Sequence, residues 1–218
     1  MYLPFPDTDI YALTDSRQSL GRSTVEVVAK LLEAGIKVIQ YREKDKDAGV
    51  MLEECLAIRE LTRKAGCCFI VNDHVDIALL CEADGVHVGQ EDLPLAAVRR
   101  LVGRERVIGV STHEPSEAGA AVEGGADYIG VGPIFATATK STAKPVGFSY
   151  LEEIAGTCPI PFTAIGGLNE RTLADVVRRG ARCCAIVSAI TLAEDIPAKV
   201  AQLRTIIREA ANECDSRK

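Results

Sequence analysis

The sequence predicts an α/β fold, a single (β/α)8 TIM barrel spanning residues 1–218, on three observations. Short apolar runs alternate with amphipathic stretches along the whole chain, and there are about eight such pairs, the number that closes a barrel. At 218 residues the chain is long enough for one large core of this kind. No low-complexity tract or linker-like change of composition interrupts the series, so one domain is expected. A doubly wound open sheet is the competing architecture.

The apolar runs place strands near Ile10–Leu13, Lys37–Tyr41, Cys67–Val71, Gly85–Val88, Arg106–Val110, Tyr128–Val131, Phe162–Ile165 and Cys184–Val187. Amphipathic spacing places helices after them, at Thr24–Ala34, Val50–Ala65, Val75–Cys81, Ser116–Gly124, Leu151–Gly156, Glu170–Arg179 and Ala198–Ala211. Cys67-Cys68 and Cys183-Cys184 are neighbours in extended stretches, so each pair sends its thiols to opposite faces. No Cys-x-x-Cys pair is present, and the eight cysteines read as reduced thiols of a cytoplasmic protein, not as a zinc or disulfide framework.

Charge narrows the partners. With 25 basic against 31 acidic residues, the net charge of −6 and the lack of a Lys/Arg run argue against a nucleic-acid surface. No apolar run reaches the roughly 18 residues of a membrane span, and the N-terminus lacks the basic and apolar regions of a signal peptide. Small phosphorylated ligands, met by a few aimed cations and backbone amides, are the expected partners. A homo-oligomer is compatible with the sequence, which leaves the oligomeric state open.

Residues that follow barrel strands gather at one rim, where such folds place their chemistry. After strand 2, Gln40, Arg42 and Lys44 alternate onto one face of an extended stretch, a fork and a point charge suited to a diphosphate. A solvated charged turn is the alternative. Strands 3 and 4 deliver Asp73 and Asp92 to the same end, beside Asn72; two carboxylates without a Cys or His set suit a hard cation such as magnesium. Their alternative role is helix capping. Ser111 follows strand 5 as a phosphate donor or a helix cap, and His113 reads as an ordinary loop histidine. Thr137, Thr139 and Lys140 follow strand 6 as an anion cradle, with a loop from 141 to 147 able to close over a ligand. Gly166 and Gly167 after strand 7, and Val187 and Ser188 after strand 8, suit a second phosphate, since glycines admit close backbone approach and helix starts favour anions. Two phosphate sites at one rim point to a two-substrate reaction.

Six segments in order carry a resemblance: Gln-Tyr-Arg-Glu-Lys at 40–44, Val-Asn-Asp at 71–73, Ala-Asp-Gly-Val-His-Val-Gly-Gln-Glu-Asp-Leu-Pro at 83–94, Gly-Val-Ser-Thr-His at 109–113, Gly-Pro-Ile-Phe-x-Thr-x-Thr-Lys at 132–140 and Ile-Gly-Gly at 165–167. Together they resemble the thiamine phosphate synthase family, from Tyr11 over nearly the whole chain. The resemblance implies a cytoplasmic, magnesium-dependent transferase with one ion per subunit. It would join hydroxymethylpyrimidine diphosphate to a thiazole phosphate (or its carboxylated tautomer), releasing pyrophosphate through a dissociative, carbocation-like path. It further implies Gln40, Tyr41, Arg42, Glu43, Lys44, Asn72, Ser111 and Lys140 for the pyrimidine diphosphate. Thr137, Ala138, Thr139, Gly167, Val187 and Ser188 would serve the thiazole phosphate, and Asp73 and Asp92 the metal. Arg42, Lys44, Ser111 and Lys140 form the implied catalytic set. Ala136 and Tyr41 depart from the family's usual Pro and Leu. The related thiazole tautomerases carry a catalytic His where Pro133 stands, so Pro133, Thr139 and Lys140 favour the synthase; a phosphate-ligand sensor on the same barrel is the non-enzymatic alternative.

Overall fold

The computed structural model describes residues 4–137 and 144–215. Eight parallel strands, β1 (Ile10–Leu13), β2 (Val38–Tyr41), β3 (Cys68–Asn72), β4 (Gly85–Val88), β5 (Val107–Thr112), β6 (Tyr128–Val131), β7 (Phe162–Ile165) and β8 (Cys184–Ile186), pair in sequence order. Closure comes from β1 pairing with β8, Tyr11 opposite Ala185, and this ring rules out the open doubly wound sheet. The helices are α1 (Thr24–Glu33), α2 (Ala48–Ala65), α3 (Val75–Leu80), α4 (Leu95–Val102), α5 (Pro115–Glu123), α6 (Gly147–Thr157), α7 (Leu173–Arg178), α8 (Ser188–Thr191) and α9 (Ile196–Asp215). Local chemistry sets several boundaries. Ser23 and Glu26 form a reciprocal cap that starts α1, and Gly66 at φ +63° ends α2. The short α4 and α8 come in addition to the helices expected from periodicity.

Period-two alternation divides the apolar residues between two cores. Ile10, Ala12, Ile39, Phe69, Val71, Val86, Ile108 and Ile129 face outward and pack under the helices. Tyr11, Leu13, Val38, Ile70, Val107, Tyr128 and Ala185 face inward, where Phe5 stacks on Tyr128 at 4.0 Å between ring centroids. The cysteine pairs divide as expected: Cys68 and Cys183 go to the inner cluster, Cys67 and Cys184 to the outer one, and all eight thiols are free.

Three aspartates lock the N-terminal end of the barrel. Asp84, just before β4, accepts from Phe69 N of β3 at 2.8 Å and takes both arms of Arg59 from α2 at 2.7 and 2.9 Å. Asp127, just before β6, accepts from Ile108 N at 2.7 Å and from Arg99 of α4 at 2.6 Å. Asp9, just before β1, accepts from Ile10 N at 2.8 Å and from Arg204 of α9 at 3.0 Å. Each ties a strand to a helix of the outer layer through charge-assisted bonds. No helix among the described residues is long and apolar enough to cross a membrane.

Candidate active site

A cavity of about 770 Å³ opens at the C-terminal rim, lined by residues from every strand end. Alternation after β2 decides which residues of the charged run reach it. Gln40, Arg42 and Lys44 line the cavity. Tyr41 and Glu43, expected among the pyrimidine-diphosphate residues, do not, because their odd register turns them outward. The Tyr41 hydroxyl donates to Glu54 Oε2 of α2 at 2.6 Å, and Glu43 Oε1 accepts from Lys44 N at 2.8 Å and Asp45 N at 3.3 Å. Those two side chains shape the turn that aims Arg42 and Lys44. Arg42 is further held by Thr14 Oγ1, which accepts from its backbone N at 3.0 Å, and by Asp15 at 3.3 Å.

Asn72, Asp73 and Asp92 line the next sector of the cavity. The capping alternative fails for both aspartates: α3 begins after His74 and α4 after Pro94, and neither helix has a side-chain cap. Asp73 instead occupies the left-handed region at φ +61°, with its backbone N donating to His87 O at 2.8 Å. Its carboxylate pairs with Lys44 Nζ. Burial pushes the Asp73 carboxyl above its ordinary range, the Lys44 ammonium opposes that, and the neighbouring Asp92 carboxylate adds to it. Asp92 Oδ2 accepts from Gly89 N at 2.7 Å. Two hard, oxygen-only donors repelling each other in a cavity that also carries Arg42 and Lys44 fit a divalent cation completed by ligand oxygens and water. Among the described residues no group of three or more His, Cys, Asp or Glu gathers as a metal cluster.

Ser111 lies inside β5, so it caps nothing; its Oγ is 2.9 Å from His87 Nε2, and it lines the cavity. His113 also borders the cavity, with Nδ1 2.9 Å from Glu117 Oε2. At the ends of β6, β7 and β8 stand Thr137, Gly167, Val187 and Ser188. Gly167 (φ +66°) is required there, since a Cβ would fall 2.8 Å from Phe135 Cβ and 2.9 Å from Ala136 O. The β6 loop is thereby laid against the β7 loop, with Phe135 N donating to Gly166 O at 3.2 Å. Ala138, Thr139 and Lys140 lie outside the described residues, as do Ser141, Thr142 and Ala143 of the loop expected to close.

Sequence reasoning missed part of the cavity floor. Tyr11, His87 and Gln90 line it, and Gln90 Nε2 donates to Ser111 O at 2.7 Å. For Tyr11 and His87 the signal was available, because the alternation that sends Ile10 and Val86 outward sends them inward. Burial holds the His87 imidazole well below its ordinary range, at about 4, so the ring is neutral at neutral pH.

Comparison with known proteins bears on this arrangement. Residues 10–190 match the family model described as thiamine monophosphate synthase. The chain is 59% identical over 202 residues to a thiamine-phosphate synthase of Pelotomaculum thermopropionicum, covering 92% of this chain and 93% of the relative. A thiamine-phosphate synthase of Lawsonia intracellularis is 53% identical over the same shares of the two chains. Among solved structures, thiamine phosphate pyrophosphorylase from Pyrococcus furiosus superposes with a TM-score of 0.85 at 36% identity, covering 93% of this chain and 96% of that one. The chain belongs to the thiamine monophosphate synthase family.

Proposed function

We propose that this protein is a thiamine phosphate synthase, joining hydroxymethylpyrimidine diphosphate to a thiazole phosphate and releasing pyrophosphate. The observation that carries the reading is one cavity with two separate anion-suited walls, Arg42 and Lys44 on one side and Gly167 with Ser188 on the other. A diphosphate leaving group and a phosphorylated acceptor need that division. Relatives named for this reaction cover nearly the whole chain.

The chain's own groups suit a dissociative step. Arg42, fixed by Asp15, offers a planar fork to the diphosphate, and Lys44 offers a point charge beside it. Asp73 and Asp92 would hold magnesium, which when bound supplies positive charge to the departing pyrophosphate. Asn72 and Ser111 face the same wall and orient the diphosphate through neutral hydrogen bonds. The thiazole phosphate sits against Thr137, Gly167 and Ser188, which carries its ring nitrogen toward the carbon being released. No general base is required, so the neutral, buried His87 is not an obstacle. Catalysis is then electrostatic and positional.

The test is a coupling assay with both substrates and magnesium, reading thiamine phosphate by fluorescence after oxidation. Product that disappears on chelation and returns with added magnesium is the expected result. Binding of both substrates without product would overturn the catalytic reading in favour of a ligand sensor.

A further inference from the structure

At the floor of the cavity a hydrogen-bonded chain of five side chains crosses the barrel. Gln40 Nε2 lies 2.7 Å from the Tyr11 hydroxyl, which lies 2.8 Å from the Tyr128 hydroxyl. Tyr128 Oη is 2.9 Å from His87 Nδ1, and His87 Nε2 is 2.9 Å from Ser111 Oγ. Tyr11, Tyr128 and His87 are 1%, 0% and 7% exposed, so their polar atoms depend on one another for partners. The sequence leaves room for this chain at Gly109, where a Cβ would fall 2.1 Å from Tyr128 Cζ and 2.4 Å from His87 Nδ1.

The protons in this chain run one way. An amide nitrogen can only donate, so Gln40 gives a proton to Tyr11 Oη. Gln40 and Tyr128 are the partners of the Tyr11 hydroxyl among the described residues, which leaves Tyr128 as the side chain able to take its proton. Tyr128 then has its own proton left for His87 Nδ1. A neutral imidazole that accepts at Nδ1 carries its proton on Nε2 and donates to Ser111 Oγ. With a lone pair occupied in this way, Ser111 is left with its own proton to turn toward the cavity.

We propose that Tyr128 and His87 are positioning residues that fix the Ser111 hydroxyl as a donor toward the ligand in the cavity, although Tyr128 itself does not border that cavity. No proton is transferred; the chain sets orientation only. The opposite direction would place the His87 proton on Nδ1 and turn the Ser111 proton inward, leaving the serine only a lone pair to offer an anionic ligand. The role of Ser111 toward a diphosphate rests on the function proposed above, whereas the direction of the chain does not.

Two measurements test this separately. Long-range proton–nitrogen NMR on protein labelled with 15N-histidine reads the tautomer of His87 directly, with His87→Gln identifying its signals among the three histidines. A proton on Nε2 at neutral pH is expected, and a proton on Nδ1 would overturn the proposal without touching the coupling reading. In the coupling assay, Tyr128→Phe should lower kcat about tenfold with KM for the pyrimidine diphosphate within about twofold, and should convert His87 to a mixture of tautomers. Added to Ser111→Ala, it should slow turnover no further, because both changes remove the same donor. Independent, multiplying losses would sink the coupling of Tyr128 to Ser111, and an absence of thiamine phosphate from the wild-type protein would sink the function while the tautomer result stood.

Discussion

The two ends of the barrel use the same residue types in opposite ways. At the N-terminal end Asp9, Asp84 and Asp127 are each matched by a backbone N–H and an arginine, so their charges are consumed within the scaffold. At the C-terminal rim Asp73 and Asp92 are set against each other at a cavity, with Lys44 on Asp73 and Arg42 aimed into the same space. Asp73 also takes a left-handed backbone conformation that non-glycine residues adopt at a cost of about 1 kcal/mol or more. One end turns polar groups into stability, and the other keeps them in an arrangement a ligand completes. Substitutions should therefore separate into those that change melting and those that change turnover.

The largest expected effect is at the rim. Asp92→Asn should lower turnover in the coupling assay by about 100-fold or more, while relief of its repulsion with Asp73 leaves the melting temperature equal or higher. A clear drop in melting temperature with turnover retained would erase the contrast between the two ends. Beneath the rim, His87 gives a pH effect. Its folded pKa of about 4 lies below the value near 6.5 of an unfolded histidine, so the unfolded chain binds the extra proton between those limits. Stability from this group is complete above pH 6.5 and is lost as pH falls toward 4, by about 3 kcal/mol. Denaturant titrations at pH 7.5 and 5 should show about 2 kcal/mol of that loss in the wild type and a smaller one in His87→Gln. Equal slopes would mean that the ring is hydrated and not part of a buried chain.

At the opposite end, Asp84→Ala strips Phe69 N of its acceptor and leaves the Arg59 guanidinium without its carboxylate. A loss of about 2 kcal/mol is expected, which corresponds to roughly 5 °C in melting temperature for a chain of this length. Turnover at 25 °C should be unchanged, because Asp84 is remote from the cavity. A change in kcat there would show that the scaffold end is coupled to the chemistry.

The barrel was legible because its strands are continuous apolar runs and its connections are regular; β1, β4, β6 and β7 begin and end where the apolar patterning placed them. The rim was legible for Arg42 and Lys44, where alternation along an extended segment selects a face. Tyr41 and Glu43 were included with them through the family motif, although the same alternation turns them outward. Asp73 and Asp92 had a capping alternative that only backbone geometry could remove, since a local cap and a cavity-facing carboxylate share the same sequence context. The buried chain through Tyr11, Tyr128 and His87 was invisible for another reason. It depends on pairings across the barrel between residues far apart in sequence, and each member alone looks like part of a strand.

The smallest expected effect sharpens the rim itself. Ser188 lines the cavity at the end of β8 and the start of α8, with Gly167 at the end of the neighbouring β7; an alanine at 188 would keep the fold and remove one neutral hydrogen bond. Loss of such a bond to a charged oxygen is worth about 1.5 kcal/mol, or roughly tenfold in binding. If that bond holds the acceptor phosphate equally in the ground and transition states, Ser188→Ala should raise KM for thiazole phosphate about tenfold and leave kcat within about twofold. KM for the pyrimidine diphosphate should not move if that ligand is held, as proposed, by Arg42 and Lys44. A fall in kcat with an unchanged thiazole phosphate KM would instead mean that Ser188 meets charge developing during the reaction, and the two walls would then have to exchange their ligands.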